Sequence, residues 1–209
     1  MSLPASNGLA GGREQLSKPT RVGLLFGSFN PVHTGHLILA EYFATRTDLA
    51  EVWLIVSPQS PFKVGEELLP DTERLALLQL AVAGNLHLRA EDIELSLPRP
   101  SYTIATLDAL RARYPTHDFV LLMGADNLAG LPRWRAAERL LRELDLYVYP
   151  RPGVALPTLT DFPRAQLFTA PLLEVSATFI RASIRAGQSI RYLVPVAVEE
   201  EIVAHRYYQ

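Results

Sequence analysis

The sequence predicts an α/β fold, a doubly wound and mostly parallel sheet with helices on both faces, and three observations carry that reading. Apolar runs without alternation recur along the chain, at Val22 to Phe26, Val52 to Val56 and Phe119 to Met123, as expected of strands buried on both faces. Stretches of helical character lie between them, which suits crossover connections rather than hairpins. Each run also hands over to a turn former, Gly27, Ser57-Pro58 or Gly124.

Taken in order, the strand ending at Gly27 leads through Pro31 to a helix over about 35–47. Val52 to Val56 is a second strand, followed by a loop from Ser57 to Pro70 that carries three prolines and a glycine. Asp71 caps a helix running to about Ala83, with Leu75, Leu78, Leu80 and Val82 among its apolar positions. An extended piece from Leu86 to Leu95 precedes Pro98 and Pro100. Ser101 then caps a helix whose buried stripe is Ile104, Leu107 and Leu110. Phe119 to Met123 is a central strand, Gly124 to Asn127 a turn, about 134–143 a helix and Leu146 to Tyr149 another strand. After the Pro-rich loop from Pro150 to Pro163 come a brief strand near Leu167 to Thr169, a helix capped by Ser176 and stopped by Gly187, and a last helix over about 195–205.

The chain of 209 residues is long enough for one substantial core. We read residues 1–20 as a mobile N-terminal tail and 21–209 as a single domain with a small C-terminal helical part. A net charge of −2 offers no overall positive field for nucleic acid or an anionic membrane, so attraction for phosphate must be local. Cysteine is absent, which excludes disulfides, thiolate metal sites and a Cys nucleophile. No apolar stretch reaches the roughly 18 residues of a membrane span, and a cytoplasmic location is expected.

The chemistry concentrates at the first turn. Gly27 and Ser28 let the backbone turn so that N–H groups face an anion. His33 and His36, three apart at a helix entrance, lie on one face and can donate to the same phosphate chain. The following helix terminus adds its dipole. The two imidazoles also invite a zinc site, but no third ligand of suitable type is near, so no protein-held metal is expected.

His33-Thr34-Gly35-His36, behind Gly27-Ser28-Phe29-Asn30-Pro31, resembles the His-x-Gly-His signature of the Rossmann-like nucleotidyltransferases. A second signature of that superfamily is matched about 140 residues on, by Val175-Ser176-Ala177-Thr178-Phe179-Ile180-Arg181. Between them, Ser57 to Lys63, Pro100 to Thr103, Gly124 to Asn127 and Trp134 resemble the bacterial nicotinate-nucleotide adenylyltransferases, over about Arg21 to Tyr208. The match departs at Asn30, where many members carry Asp, and at Val175 and Ala177.

The resemblance implies transfer of AMP from ATP to nicotinate mononucleotide, giving deamido-NAD and pyrophosphate in NAD biosynthesis, with Mg²⁺ accompanying ATP. It implies catalytic roles for His33, His36 and Arg181. ATP contacts are expected at Gly27, Ser28, Phe29, His33, His36, Gly124, Asp126, Ser176, Thr178 and Arg181. Acceptor contacts are expected at Asn30, Ser57, Gln59, Lys63, Tyr102, Thr103, Asp126 and Trp134. Read without the motifs, Ser176 is a helix cap, Trp134 a half-buried helix residue and Lys63 a solvated one. Nicotinamide mononucleotide and phosphopantetheine are alternative acceptors, and a non-catalytic nucleotide sensor is the rival of another class. The expected partners are ATP and the mononucleotide, without nucleic acid or membrane; a homo-oligomer is compatible.

Overall fold

The computed structural model describes residues 19–58, 68–155 and 158–209. The expected N-terminal tail lies outside these residues up to position 18, as do Gln59 and Lys63. Six strands make one sheet: β1 Thr20–Gly27, β2 Glu51–Val56, β3 Leu88–Glu91, β4 His117–Gly124, β5 Asp145–Tyr149 and β6 Ala165–Leu167. Their order is β3-β2-β1-β4-β5-β6 and every neighbouring pair is parallel. β1 begins one residue inside the stretch expected as tail.

Among the described residues seven α-helices cover the sheet: α1 Thr34–Arg46, α2 Asp71–Val82, α3 Thr103–Arg113, α4 Ala125–Gly130, α5 Ala137–Glu143, α6 Ala177–Arg185 and α7 Val196–Ala204. Two separate apolar cores show the double winding. One gathers Leu25, Leu54 and Leu122 with Phe43 of α1, Leu78 of α2, Ile180 of α6 and Ile202 of α7. The other gathers Leu24, Ile55 and Leu121 with Leu107 of α3, Leu128 of α4 and Leu140 of α5. Successive strand residues point to opposite faces, so each apolar run feeds both cores at once.

This order places the site. The chain leaves β1 in one direction for β2 and β3, then returns to the far side of β1 for β4, so connections diverge between the carboxyl ends of β1 and β4. Ligands of open α/β sheets bind at such a crevice, and Gly27 and Gly124 end the two strands that flank it.

Several local expectations are corrected. Gly124 to Asn127 is not a turn; Gly124 caps α4, whose first turn contains Asp126. The helix expected from Trp134 starts only at Ala137, because Ala136 adopts a left-handed φ of 55° and Trp134 ends a 3₁₀ turn over Leu131–Arg133. Ser101 does not cap α3: Tyr102 holds that position, and the Ser101 hydroxyl is buried without a hydrogen-bond partner among the described residues. Asp71 is the first residue of α2 rather than its cap, and its carboxylate takes Arg74 and Arg99 instead. The piece from Leu86 to Leu95 is strand only over β3 and continues as a 3₁₀ turn, Ile93–Ser96. On α2 the buried apolar residues are Leu77, Leu78 and Val82, whereas Leu80 is exposed. The last strand falls at Ala165–Leu167, slightly before its expected place. Ser176 does cap α6, accepting from the Phe179 N–H at 3.2 Å, and Gly187 follows it at a φ of 66°.

Candidate active site

The backbone leaves β1 and turns at Phe29, which takes a φ of 43° with its ring buried in the core. Phe29 therefore offers a ligand its backbone rather than its ring. The ring instead stands edge-on to His36, with centroids 5.0 Å apart. His33 caps α1, and the His33 and His36 rings stack at 3.6 Å with 23° between their planes. The spacing of three thus puts both imidazoles on one side of the helix entrance, as expected.

His36 Nδ1 accepts from the His33 backbone N–H at 3.3 Å. In the neutral ring the proton then sits on Nε2, which makes that edge the donor. His33 is buried, its ring within 3.1 Å of where a Cβ on Gly35 would stand. A side chain there would displace the imidazole, which explains Gly between the two histidines. Nδ1 of His33 is buried without a hydrogen-bond partner among the described residues.

Burial, with the Arg151 charge adding to it, holds the His33 imidazole down at about 4. It is neutral at physiological pH, so any hydrogen bond it donates is made without charge. The unfolded chain protonates this ring near pH 6.5, the folded chain only near about 4. Its contribution to stability is therefore complete above pH 6.5 and is lost as pH falls across that window, roughly 3 kcal/mol in all. Replacing His33 by Gln should flatten the pH dependence of the unfolding free energy between pH 7 and 4. Urea titrations check this, and an unchanged slope would contradict the assignment.

The second motif reaches the first directly. Arg181 of α6 donates Nη1 to the carbonyl of Asn30 at 2.7 Å and Nη2 to Thr178 Oγ1 at 3.4 Å. Thr34, inside the first motif, donates its backbone N–H and its hydroxyl to the carbonyl of Leu193, each at 2.9 Å. Through Arg181, α6 is therefore tied to the loop that leads into the two histidines. Its first-turn N–H groups and dipole favour an anion. Asn30 itself is buried, and its carboxamide oxygen accepts from the Leu69 N–H at 3.2 Å. Its oxygen thereby holds the start of the segment that leads into α2.

At the end of β4, Asp126 faces Arg151, which follows β5, with 3.6 Å between Oδ1 and Nε. A Cβ on Gly124 would collide with the Asp126 carboxylate and come within 3.0 Å of Arg151 Nε. Gly124 therefore leaves the room in which this pair meets. Arg151 was not among the residues singled out from sequence; it sits in a Pro/Gly loop without a motif of its own.

A second residue not singled out is Arg74 of α2, which is 0 % exposed. Its guanidinium donates to the carbonyls of Ser28 at 2.5 Å, Ser57 at 3.0 Å and Leu69 at 3.0 Å, and to Asp71 Oδ1 at 2.6 Å. With the Ser57 N–H donating to the Gly27 carbonyl at 2.9 Å, it locks together the ends of β1 and β2.

Of the residues expected to contact acceptor, Tyr102 and Trp134 are both half-buried against the α3 face of the sheet. Arg135 bridges toward them, its guanidinium carbon 4.7 Å from the Tyr102 ring centroid. Thr103 opens α3 beside Tyr102. Beneath them Glu94 is buried, accepting from the Thr106 hydroxyl at 2.6 Å, and burial pushes its carboxyl up against that pull. Ser57 stands half-buried at the end of β2.

Comparison with known proteins gives the family and the fold. Residues 24–183 match the cytidylyltransferase-like family. A protein of Cytophaga hutchinsonii named a probable nicotinate-nucleotide adenylyltransferase is 48% identical over 188 residues, covering 90% of this chain and 98% of its own. One of Flavobacterium johnsoniae with the same name is 42% identical over 191 residues, covering 90% and 99%. Among solved structures, nicotinic acid mononucleotide adenylyltransferase of Plasmodium falciparum complexed with NaAD superposes with a TM-score of 0.75 at 16% identity, covering 90% of this chain and 97% of that one. At that identity the likeness speaks for the fold.

Proposed function

Since the chain belongs to the nicotinate-nucleotide adenylyltransferase family, we infer that its crevice holds ATP across the two signature motifs and nicotinate mononucleotide beside Tyr102 and Trp134. The protein transfers AMP from ATP to nicotinate mononucleotide, giving deamido-NAD and pyrophosphate, a reaction of NAD biosynthesis. The single observation that carries this reading is the 2.7 Å bond from Arg181 to the Asn30 carbonyl, which joins the motifs into one anion-binding surface.

An oxygen of the acceptor phosphate attacks the α-phosphorus of ATP. A new P–O bond forms, the bond from that phosphorus to the bridging oxygen breaks, and pyrophosphate leaves with the electron pair. The attacking oxygen is already an anion, so no strong base is needed. The work is alignment of two anions and stabilisation of charge on the bridging and leaving oxygens.

His36 Nε2–H and the neutral His33 ring supply donors on one side. Ser176, Thr178, the α6 N-terminus and Arg181 supply them on the other. Arg151 adds a cation and keeps Asp126 oriented toward the ribose hydroxyls. Mg²⁺ fits as part of the substrate, neutralising the leaving phosphates when bound to them; the described residues gather no group of three or more His, Cys, Asp or Glu that would hold it. Tyr102 and Trp134 offer flat surfaces to the pyridine ring, and Thr103 backbone and hydroxyl donors to its substituent. Among the described residues no helix is long and apolar enough to cross a membrane, and we place the enzyme in the cytoplasm.

The test is pyrophosphate release from ATP and Mg²⁺ with nicotinate mononucleotide, nicotinamide mononucleotide or phosphopantetheine in turn. Fastest release is expected with the first. Tight ATP binding with no release from any acceptor would mark a sensor and overturn the reading.

A further inference from the structure

Arg135 differs from Arg139, Arg111 and Arg74 in how its charge is used. Arg139, four residues on, spends its guanidinium on Asp108 and Glu143. Arg111 likewise pairs with Glu143, and Arg74 is wholly internal. Arg135 is exposed, and among the described residues its charged group meets no carboxylate; its described contact is the face of Tyr102, at 4.7 Å.

The backbone fixes where it stands. Trp134 is extended, with a φ of −73° and a ψ of 155°, and its N–H bonds to the Leu131 carbonyl at 2.9 Å. Ala136 then turns the chain through the left-handed region into α5. Arg135 is held between these two fixed residues, one of them the aromatic plate of the acceptor pocket. Stacking on Tyr102 orients a guanidinium plane while leaving its N–H fork able to donate at the edge. That positive charge lies where the start of α3 and Trp134 come together.

Nicotinate and nicotinamide rings have the same shape and differ in one substituent, a carboxylate or a neutral carboxamide. Backbone N–H groups at the start of α3 can donate to the oxygen of either, so they discriminate weakly. A guanidinium does discriminate. It makes charge-assisted bonds to a carboxylate, whereas an amide NH₂ turned toward it meets donors with no acceptor between them. We propose that Arg135 selects an acid over an amide acceptor, by pairing its Tyr102-stacked guanidinium with the carboxylate of the pyridine ring. The proposal rests on the adenylyl-transfer reading above and names the residue that sets its substrate class.

The experiment compares kcat/KM for nicotinate and nicotinamide mononucleotides in the wild type and in Arg135→Ala, Arg135→Gln and Arg135→Lys. Because the side chain is exposed, all three should fold. The acid-to-amide ratio should fall roughly tenfold or more in Ala and Gln, the range of a lost bond to a charged group, and recover in part in Lys, which restores charge without the fork. An unchanged ratio would overturn the assignment, whether both acceptors lose equally, as for a merely structural residue, or neither does. A wild type without transfer to any acceptor would instead defeat the activity itself. The ratio of calorimetric Kd values for the two mononucleotides then tests Arg135 by the same criterion without turnover.

Discussion

Replacing His36 by Ala should lower kcat by roughly a hundredfold or more, the cost of removing one aligned donor to a charge that develops in the transition state. The expectation follows from geometry. The ring is held on three sides, by the stacked His33 at 3.6 Å, the edge of Phe29 at 5.0 Å and the His33 N–H on Nδ1. It therefore needs little reorganisation when charge appears. ATP affinity should change much less, since Ser176, Thr178, Arg181 and the helix termini remain. Steady-state kinetics with an independent Kd for ATP separates the two. Equal losses in binding and turnover would mean that His36 grips ground state and transition state alike.

Replacing Arg74 by Ala should destabilise the fold by about 3–5 kcal/mol, the range seen when one partner of a buried ionic network is removed. Four carbonyls, of Ser28, Ser57, Pro58 and Leu69, would lose the donor that this wholly buried side chain supplies. Each buried, unsatisfied group carries a cost of its own. Urea unfolding measures the change. Because those carbonyls belong to the loops after β1 and β2, the variant should also bind ATP more weakly at temperatures where it stays folded. A loss below about 1 kcal/mol would show that water replaces the guanidinium.

The sheet and the outline of the site were legible in the chain because they rest on repeating signals. Buried parallel strands declare themselves as unbroken apolar runs, and the order of the helices follows from where those runs stop. The stacked histidines were legible because a spacing of three survives into the helix. What escaped rests on particular tertiary partners. Arg74 occupies an α2 position that a hydropathy pattern assigns to water, and only its partners from two loops make burial tolerable. The burial of Asn30 and its bond from the Leu69 N–H likewise depend on a segment far along the chain. Ala136 is a good helix former that the chain bends into the left-handed region, so the helix read from Trp134 starts three residues late. Arg151 and Arg135 stand in turns whose composition says only that the chain changes direction.

The ties from Arg181 to Asn30 and from Thr34 to Leu193 also bear on when the protein becomes an enzyme. All six strands are complete by Leu167, so a nascent chain of that length already carries its whole sheet and both imidazoles. Helix α6, with Ser176, Thr178 and Arg181, is translated after all of these strands. The bond from Arg181 to the Asn30 carbonyl can therefore form only once α6 has folded back onto the loop after β1.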